Sequence, residues 1–319
     1  MRAVGHYEFG GPDVLRLVEL PEPHAGPGEV RVRVHAAAVN PADTLLRSGG
    51  LAQAFAGIPA PYVPGMDIAG VIDEIGPGTR TDLSLGEPVM AMVHPVGQAA
   101  GGYAEYVVLP AGWVVSAPAG ADHVAAATLP MNGLTAQLTL DLLALAPGSV
   151  LAVIGAAGAL GGYLVQMGGH AGLTVLADAA PADEALVRRL GAADVVARGS
   201  DVAARILDRY PGGVDAVADA ALAGPGLLGA LRDGGVYARF RTGDEPGGHE
   251  IDGGGRVSVR TTFVPDYAGR TDKLHQIRRL AESGAITPRV AAALPAAEAA
   301  EAHRRLEAGG LRGRLVLTF

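Results

Sequence analysis

The sequence contains no cysteine. That absence excludes disulfides, thiolate-held metals and a cysteine nucleophile together. No run of Lys or Arg occurs, and the formal net charge is −8, so a nucleic-acid-binding surface is not expected. No apolar stretch reaches the roughly 20 residues of a membrane-spanning helix. Met1 leads into polar and charged residues, not into the apolar core of a secretory signal. No membrane partner is expected, and the expected compartment is the cytoplasm. What the chain does have is 319 residues, 49% of them hydrophobic, which suffices for about two cored domains.

One stretch organises the rest, from Val150 to Asp178. Val150 to Ile154 read as a strand buried on both faces, and Gly155, Gly158 and Gly161 follow at three-residue spacing. Leu160, Tyr163, Leu164 and Met167 then mark one face of a helix that Gly172 ends. A second strand, Leu173 to Ala177, closes on Asp178, which stands 17 positions beyond Gly161. Strand, glycine turn, helix, strand and acidic residue make a dinucleotide site, because bare backbone lets a pyrophosphate sit against helix N–H groups. The candidate cofactor-binding residues are therefore Gly155, Ala156, Ala157, Gly158, Ala159, Leu160, Gly161 and Asp178.

Before this stretch, short β-type runs alternate with Pro and Gly turns: Val14 to Leu20, Glu29 to Val39, Ile68 to Ile75, Pro88 to Val93, Tyr103 to Leu109 and Trp113 to Ser116. They predict a mostly antiparallel β domain. From about Asp122 the period becomes helical. After the glycine turn, strands alternate with helices as far as Val257 to Val259, which predicts parallel pairing through right-handed crossovers. Helices near Leu274 to Glu282 and Ala297 to Glu307 and a strand from Arg314 to Thr318 complete the chain.

Five separated motifs carry a resemblance: Asn40-Pro41-Ala42-Asp43, Pro64-Gly65-Met66-Asp67-Ile68-Ala69-Gly70, Gly101-Gly102-Tyr103-Ala104-Glu105-Tyr106-Val107, Leu129-Pro130 with Gly133-Leu134-Thr135-Ala136, and the glycine turn. In this order the chain resembles the medium-chain dehydrogenase/reductase superfamily, and within it the zinc-independent quinone oxidoreductase branch that also holds enoyl reductases. The match runs on through Glu298 to His303 and Arg312 to Leu317. The resemblance implies an α/β chain with a GroES-like β domain over residues 1–121 and 262–319 for substrate, and a Rossmann doubly wound parallel sheet over 122–261. It also implies an active-site cleft at their junction and a homodimer.

In zinc-dependent relatives a Cys stands near Val39, a His-Glu pair at Met66-Asp67, and four Cys between Val93 and Gly102. This chain has none of these ligands, and His24 and His94 are isolated, so no metal is expected. The chemistry implied is hydride transfer from NADH or NADPH to a small-molecule acceptor, a quinone or an α,β-unsaturated carbonyl. A pathway-specific enoyl reductase acting on a thioester or carrier-bound substrate is the alternative. From another class, a catalytically silent cofactor-binding scaffold or sensor also fits.

The resemblance places Asn40 in the cleft, against nicotinamide or a substrate oxygen, while a capped turn explains it equally. The tyrosine that several enoyl reductases use as proton donor is replaced by Leu45 and Leu46, which leaves Tyr62 or solvent for that role. Thr135 would bring a hydroxyl near the nicotinamide, or pack its helix. The strand ending at Phe240 and the segment at Phe263 would border the nicotinamide. Tyr237, Arg239 and Arg241 would share one face, reading an anion or edging a solvated loop. Arg312 and Arg314 match a basic motif near the cofactor phosphates, or start the last strand. Asp178 favours NADH, since a carboxylate accepts from ribose hydroxyls and repels a 2′-phosphate; Arg198 is the basic residue placed to reverse that preference.

Overall fold

The computed structural model describes residues 1–95 and 101–319. Residues 96–100, inside the stretch where zinc-dependent relatives carry four Cys, lie outside the described residues. Two compact units form. One holds Met1–Met131, Pro265–Gly284 and Pro288–Phe319, and the other holds Asn132–Val264 and Ala285–Thr287. The joins fall at residues 131/132 and 264/265, against the 121/122 and 261/262 of the sequence reading.

The first unit begins with a two-stranded antiparallel ribbon, β1 (Arg2–Gly5) and β2 (Arg16–Glu19). Then follow β3 (Glu29–Ala38), helix α1 (Pro41–Ser48), β4 (Asp67–Ile75), β5 (Pro88–Met92), β6 (Tyr106–Pro110), β7 (Val114–Ser116) and the short helix α2 (His123–Ala126). Val30, Val32 and Val34 of β3 point into the core while Arg33 is exposed, the alternation of a half-buried strand. Ala36, Ala37 and Ala38 are buried together where β3 passes between β4 and a later strand. Asn40 and Pro41, which read as a turn, instead start a helix. The Asp43 carboxylate accepts from the Asn40 N–H at 2.8 Å, the returning half of a capping box, and Gly49 ends the helix at φ 91°.

Helix α3 (Pro130–Leu143) leads into the second unit, which continues with β8 (Val150–Ile154), α4 (Ala159–His170), β9 (Thr174–Ala179), α5 (Glu184–Arg189), β10 (Asp194–Ala197), α6 (Val202–Arg209), β11 (Val214–Asp219), β12 (Leu231–Arg239) and β13 (Ser258–Thr261). All pair in parallel in the order β10-β9-β8-β11-β12-β13. This is the Rossmann doubly wound order expected from the alternating pattern, reversing direction between β8 and β11. Leu151 to Ile154 of β8 are buried, each larger side chain contributing about 1.5–3 kcal/mol. The chain then returns to the first unit as α7 (Thr271–Glu282), β14 (Val290–Pro295), α8 (Ala299–Ala308) and β15 (Arg314–Thr318). Strand β15 pairs antiparallel with β3, giving the order β14-β15-β3-β4-β5-β7 with β6 also on β3.

Candidate functional site

In the second unit the chain leaves β8 at Ile154 and turns through Gly155, Ala156, Ala157 and Gly158 into α4, whose first turn holds Ala159, Leu160 and Gly161. Gly155 sits at φ 83°, and a Cβ on Gly161 would lie 2.2 Å from the Gly155 carbonyl oxygen. Helix and turn therefore meet backbone to backbone, which only glycine at 161 permits. Gly158 has an ordinary φ of −67° and makes no side-chain cap. A Cβ there would meet only the Gly155 carbonyl, at 3.1 Å. As the N-cap residue Gly158 supplies no capping side chain of its own, and a glycine turn of this form leading into a helix is a cradle that fits a pyrophosphate.

Asp178, near the end of β9, turns its carboxylate under this turn. Its Oδ1 accepts from Gly155 N–H at 2.7 Å and Ala156 N–H at 3.1 Å, and the residue is 7% exposed. Burial lifts its pKa, against the downward pull of those two N–H groups and of Arg198, while Asp219 adds to the lift. This oxygen braces the turn and does not point outward, where the sequence reading placed it against ribose. Alternation along β9 puts Ala177 and Ala179 on the other face. Arg198 donates its backbone N–H to Ala179 at 3.0 Å, and its side chain is exposed.

Sequence reasoning missed Asp219, which ends β11 beside Ile154 at the switch point. Its Oδ1 accepts from Ala223 N–H and its Oδ2 from Gly224 N–H, both at 2.9 Å, and Oδ2 also accepts from the Tyr237 hydroxyl at 2.5 Å. A carboxylate closing a strand immediately before a turn was the available signal. Tyr237 is thus a core residue. Arg239 Nε donates to Thr261 Oγ1 at 2.8 Å, and Arg241 donates to the Pro246 carbonyl of its own loop, so both guanidinium groups are bonded within the unit. Phe240 follows β12 half-buried, and Phe263 is 57% exposed. Thr135 is buried, and its carbonyl accepts from Thr139 Oγ1 at 2.7 Å.

The first unit holds a separate cluster of buried polar groups around Asn40. Asp43 Oδ1 accepts from Gly65 N–H at 2.9 Å, and its Oδ2 from Asn40 N–H at 2.8 Å and the Tyr103 hydroxyl at 3.2 Å. Asp67 Oδ2 accepts from Asn40 Nδ2 at 2.7 Å and its Oδ1 from Met131 N–H at 2.6 Å. Burial pushes Asp43 up to about 6 and Asp67 up to about 7, with Arg314 opposing both shifts. Arg314 is therefore placed as the charge partner of this cluster, whereas Arg312 donates to the carbonyl of Leu311. Gly65 makes the cluster possible: at φ 109°, any Cβ would stand 2.6 Å from the Tyr103 backbone nitrogen. Tyr62 belongs elsewhere, its ring stacked on Phe9 at 5.1 Å and edge-on to Phe55 at 5.3 Å, a packing role.

Both oxygens of Asp67, at the zinc relatives' ligand position, are thus taken by N–H donors. Among the described residues no group of three or more His, Cys, Asp or Glu is arranged to hold a metal ion. The donor set does not fit a catalytic zinc, which takes about three such ligands. Among the described residues no helix is long and apolar enough to cross a membrane.

His303 Nε2 lies 3.2 Å from the Tyr103 hydroxyl, and burial, with Arg47 and His6, pushes its pKa down to about 3. An unfolded His titrates near 6.5. Its contribution to stability is therefore complete above pH 6.5 and lost as the pH falls from there towards 3, at about 1.4 kcal/mol per pH unit. Asp43 and Asp67 act in the opposite sense, favouring the fold as they protonate. The expected result is that the stability difference between wild type and His303→Gln shrinks steadily from pH 6.5 to pH 4 in urea titrations. A constant difference would contradict a neutral buried His303.

The alcohol dehydrogenase GroES-like domain model matches residues 26–119, and the zinc-binding dehydrogenase model matches residues 190–317. A 2-haloacrylate reductase of Burkholderia sp is 33% identical over 225 residues, 69% of this chain and 66% of that protein. A quinone oxidoreductase of Rattus norvegicus is 34% identical over 200 residues, 61% of this chain and 58% of that protein. The chain thus matches less than two thirds of the length of either. The solved structure of a mycobacterial protein complexed with NADPH superposes with a TM-score of 0.87 at 29% identity, covering 100% of both chains. With both halves matched by models of one superfamily and the doubly wound sheet and glycine turn in place, the chain belongs to the medium-chain dehydrogenase/reductase superfamily, with relatives in its quinone oxidoreductase branch.

Proposed function

We propose that the protein is a zinc-independent reductase that transfers hydride from a nicotinamide cofactor to a quinone or an α,β-unsaturated carbonyl. The observation that carries this reading is the glycine turn from Gly155 to Gly161, closed backbone to backbone between β8 and α4 where the strand order of the sheet reverses. When bound, the cofactor supplies the hydride. The protein's own residues bind and orient: the first turn of α4 holds the pyrophosphate, Asp178 keeps the turn rigid, and Phe240, Phe263 and Thr135 border the nicotinamide. Reduction of an activated C=C bond is also what the name of the haloacrylate relative describes. Tyr62 is engaged in packing, so the proton comes from solvent. The test is consumption of cofactor across a panel of quinones and enones, with and without chelator. Turnover unchanged by chelator is expected; cofactor binding without turnover of any acceptor would support a silent scaffold instead.

For the cofactor itself, the two turn N–H groups held by Asp178 Oδ1 weaken the case for NADH, and the exposed Arg198 beside Ala179 favours a 2′-phosphate. NADPH is therefore the proposed cofactor, as in the mycobacterial complex. Arg198→Ala is expected to lower kcat/KM for NADPH between about 10- and 100-fold, the ~1.5–3 kcal/mol of a charge-assisted contact, while leaving NADH nearly unchanged. A wild type that prefers NADH, or an equal loss with both cofactors, would defeat this assignment. We further propose a cytoplasmic homodimer. Its support is β13, the last strand of the parallel sheet, whose second edge pairs with no strand among the described residues.

A further inference from the structure

Apart from the carboxylate cluster, three neighbouring side chains of the first unit bury nitrogens with no hydrogen-bond partner among the described residues: Arg47 Nε and Nη1, His6 Nε2 and His303 Nδ1. Arg47 is 3% exposed, and both imidazoles are fully buried. The three side chains are brought together by their elements: Arg47 pairs with Glu307, one turn of α8 beyond His303, and the His6 ring stands edge-on to Phe9 at 5.7 Å, which in turn lies against Gly49 at the end of Arg47's helix. Arg47 reaches the outside only through Nη2, which donates to Glu307 Oε1. A buried guanidinium with two unanswered N–H groups is costly, and such groups in folded proteins are met by a side chain, backbone or an internal water.

The polarity of the surrounding bonds says which. His6 Nδ1 lies 2.9 Å from the Glu8 carbonyl, which can only accept, so Nδ1 carries the proton and Nε2 is a bare acceptor. Tyr103 donates its hydroxyl proton to Asp43, so its oxygen accepts from His303 Nε2 and leaves His303 Nδ1 bare as well. The unanswered atoms therefore comprise two donor nitrogens, both on Arg47, and two acceptors, one on each imidazole. An anion is answered by the donors and repelled by the two lone pairs. Water accepts from one set and donates to the other.

We infer that Arg47, His6 and His303 enclose an internal water site, in which water accepts from Arg47 and donates to His303 Nδ1 or His6 Nε2. The site fixes the direction of a hydrogen-bond chain. Donation starts at Arg47, outward to Glu307 and inward through the water, His303 and Tyr103 to Asp43, the carboxylate that accepts from Asn40 and Gly65. Arg47, four residues along α1 from Asp43, acts on that carboxylate through this chain as a positioning residue.

Two measurements on the full-length protein decide the matter. Long-range 1H–15N correlation spectra at pH 7 are expected to show both imidazoles neutral, His303 protonated on Nε2 and His6 on Nδ1. A crystal grown in bromide is expected to show a water-sized peak about 3 Å from an Arg47 nitrogen and an imidazole nitrogen, with no anomalous signal. A bromide peak, an imidazolium, His303 protonated on Nδ1, or no density at the site would each overturn the inference. Arg47→Met is expected to lose the peak and to let His303 titrate at higher pH. If that variant does not fold, the wild-type tautomers and density still decide.

Discussion

Gly158→Asp is expected to fold as the wild type does and to lose nicotinamide cofactor binding on the order of 100-fold, the ~3 kcal/mol of a lost charge-assisted contact. The two halves of this result have separate causes. Residue 158 has φ −67°, open to any residue, and an added Cβ there meets one atom, the Gly155 carbonyl oxygen at 3.1 Å, which needs to give by only a few tenths of an ångström. Aspartate is moreover a good N-cap and suits the positive end of a helix dipole. Those same properties make the carboxylate occupy and neutralise the place where a pyrophosphate would lie. The variant should thus be at least as stable as wild type in urea while titrating weakly with NADPH by fluorescence. Gly161→Ala is the contrasting control: its Cβ would stand 2.2 Å from the Gly155 carbonyl oxygen, so the turn itself must shift. Unchanged NADPH affinity in Gly158→Asp would remove the site from α4.

Asp43→Ala is expected to cost about 3–5 kcal/mol, the usual penalty for removing one partner of a buried charged cluster. Total stability for a domain is only about 5–15 kcal/mol, so this loss approaches unfolding at 37 °C. Three buried donors, Asn40 N–H, Gly65 N–H and the Tyr103 hydroxyl, lose their acceptor at once, and Arg314 loses a countercharge. Asp43→Asn keeps the shape and one accepting oxygen but sets an NH2 group against a donor, and should fall between the two. Urea unfolding of the three proteins checks the order. A loss below about 1 kcal/mol for the alanine variant, the size of one exposed hydrogen bond, would mean that the cluster is not closed to water.

The dinucleotide half was legible because a strand covered on both faces is a continuous apolar run, and Val150 to Ile154 needs no partner to be recognised. Asp178 was legible as a residue and not as a direction. One step along a strand reverses the face, and nothing local fixes whether position 178 or 179 looks outward until the turn N–H groups have claimed the carboxylate. Helix α1 was hidden because Asn-Pro is also a turn signal, and the deciding bond comes from the Asp43 side chain. Strand β12 begins at Leu231, well before the expected Val236, because Gly234 and Gly235 interrupt the apolar pattern where the pairing with β11 shifts register. The buried cluster was out of reach altogether: it joins residues 43, 67, 103, 303 and 314, and no spacing rule links positions so far apart.

The pairing of β3 with β15 sets an order of events during synthesis. Residues 36–38 lie against 316–318, so the central strand of the first unit stays half-paired until nearly the whole chain has left the ribosome. The parallel sheet draws its strands from one continuous stretch and can close earlier. Until β15 has been made, Ala36, Ala37 and Ala38 stay on an unpaired edge of β3. Chains stalled or cut before Arg314 should expose that edge and aggregate through it, even with their nucleotide-binding half already folded.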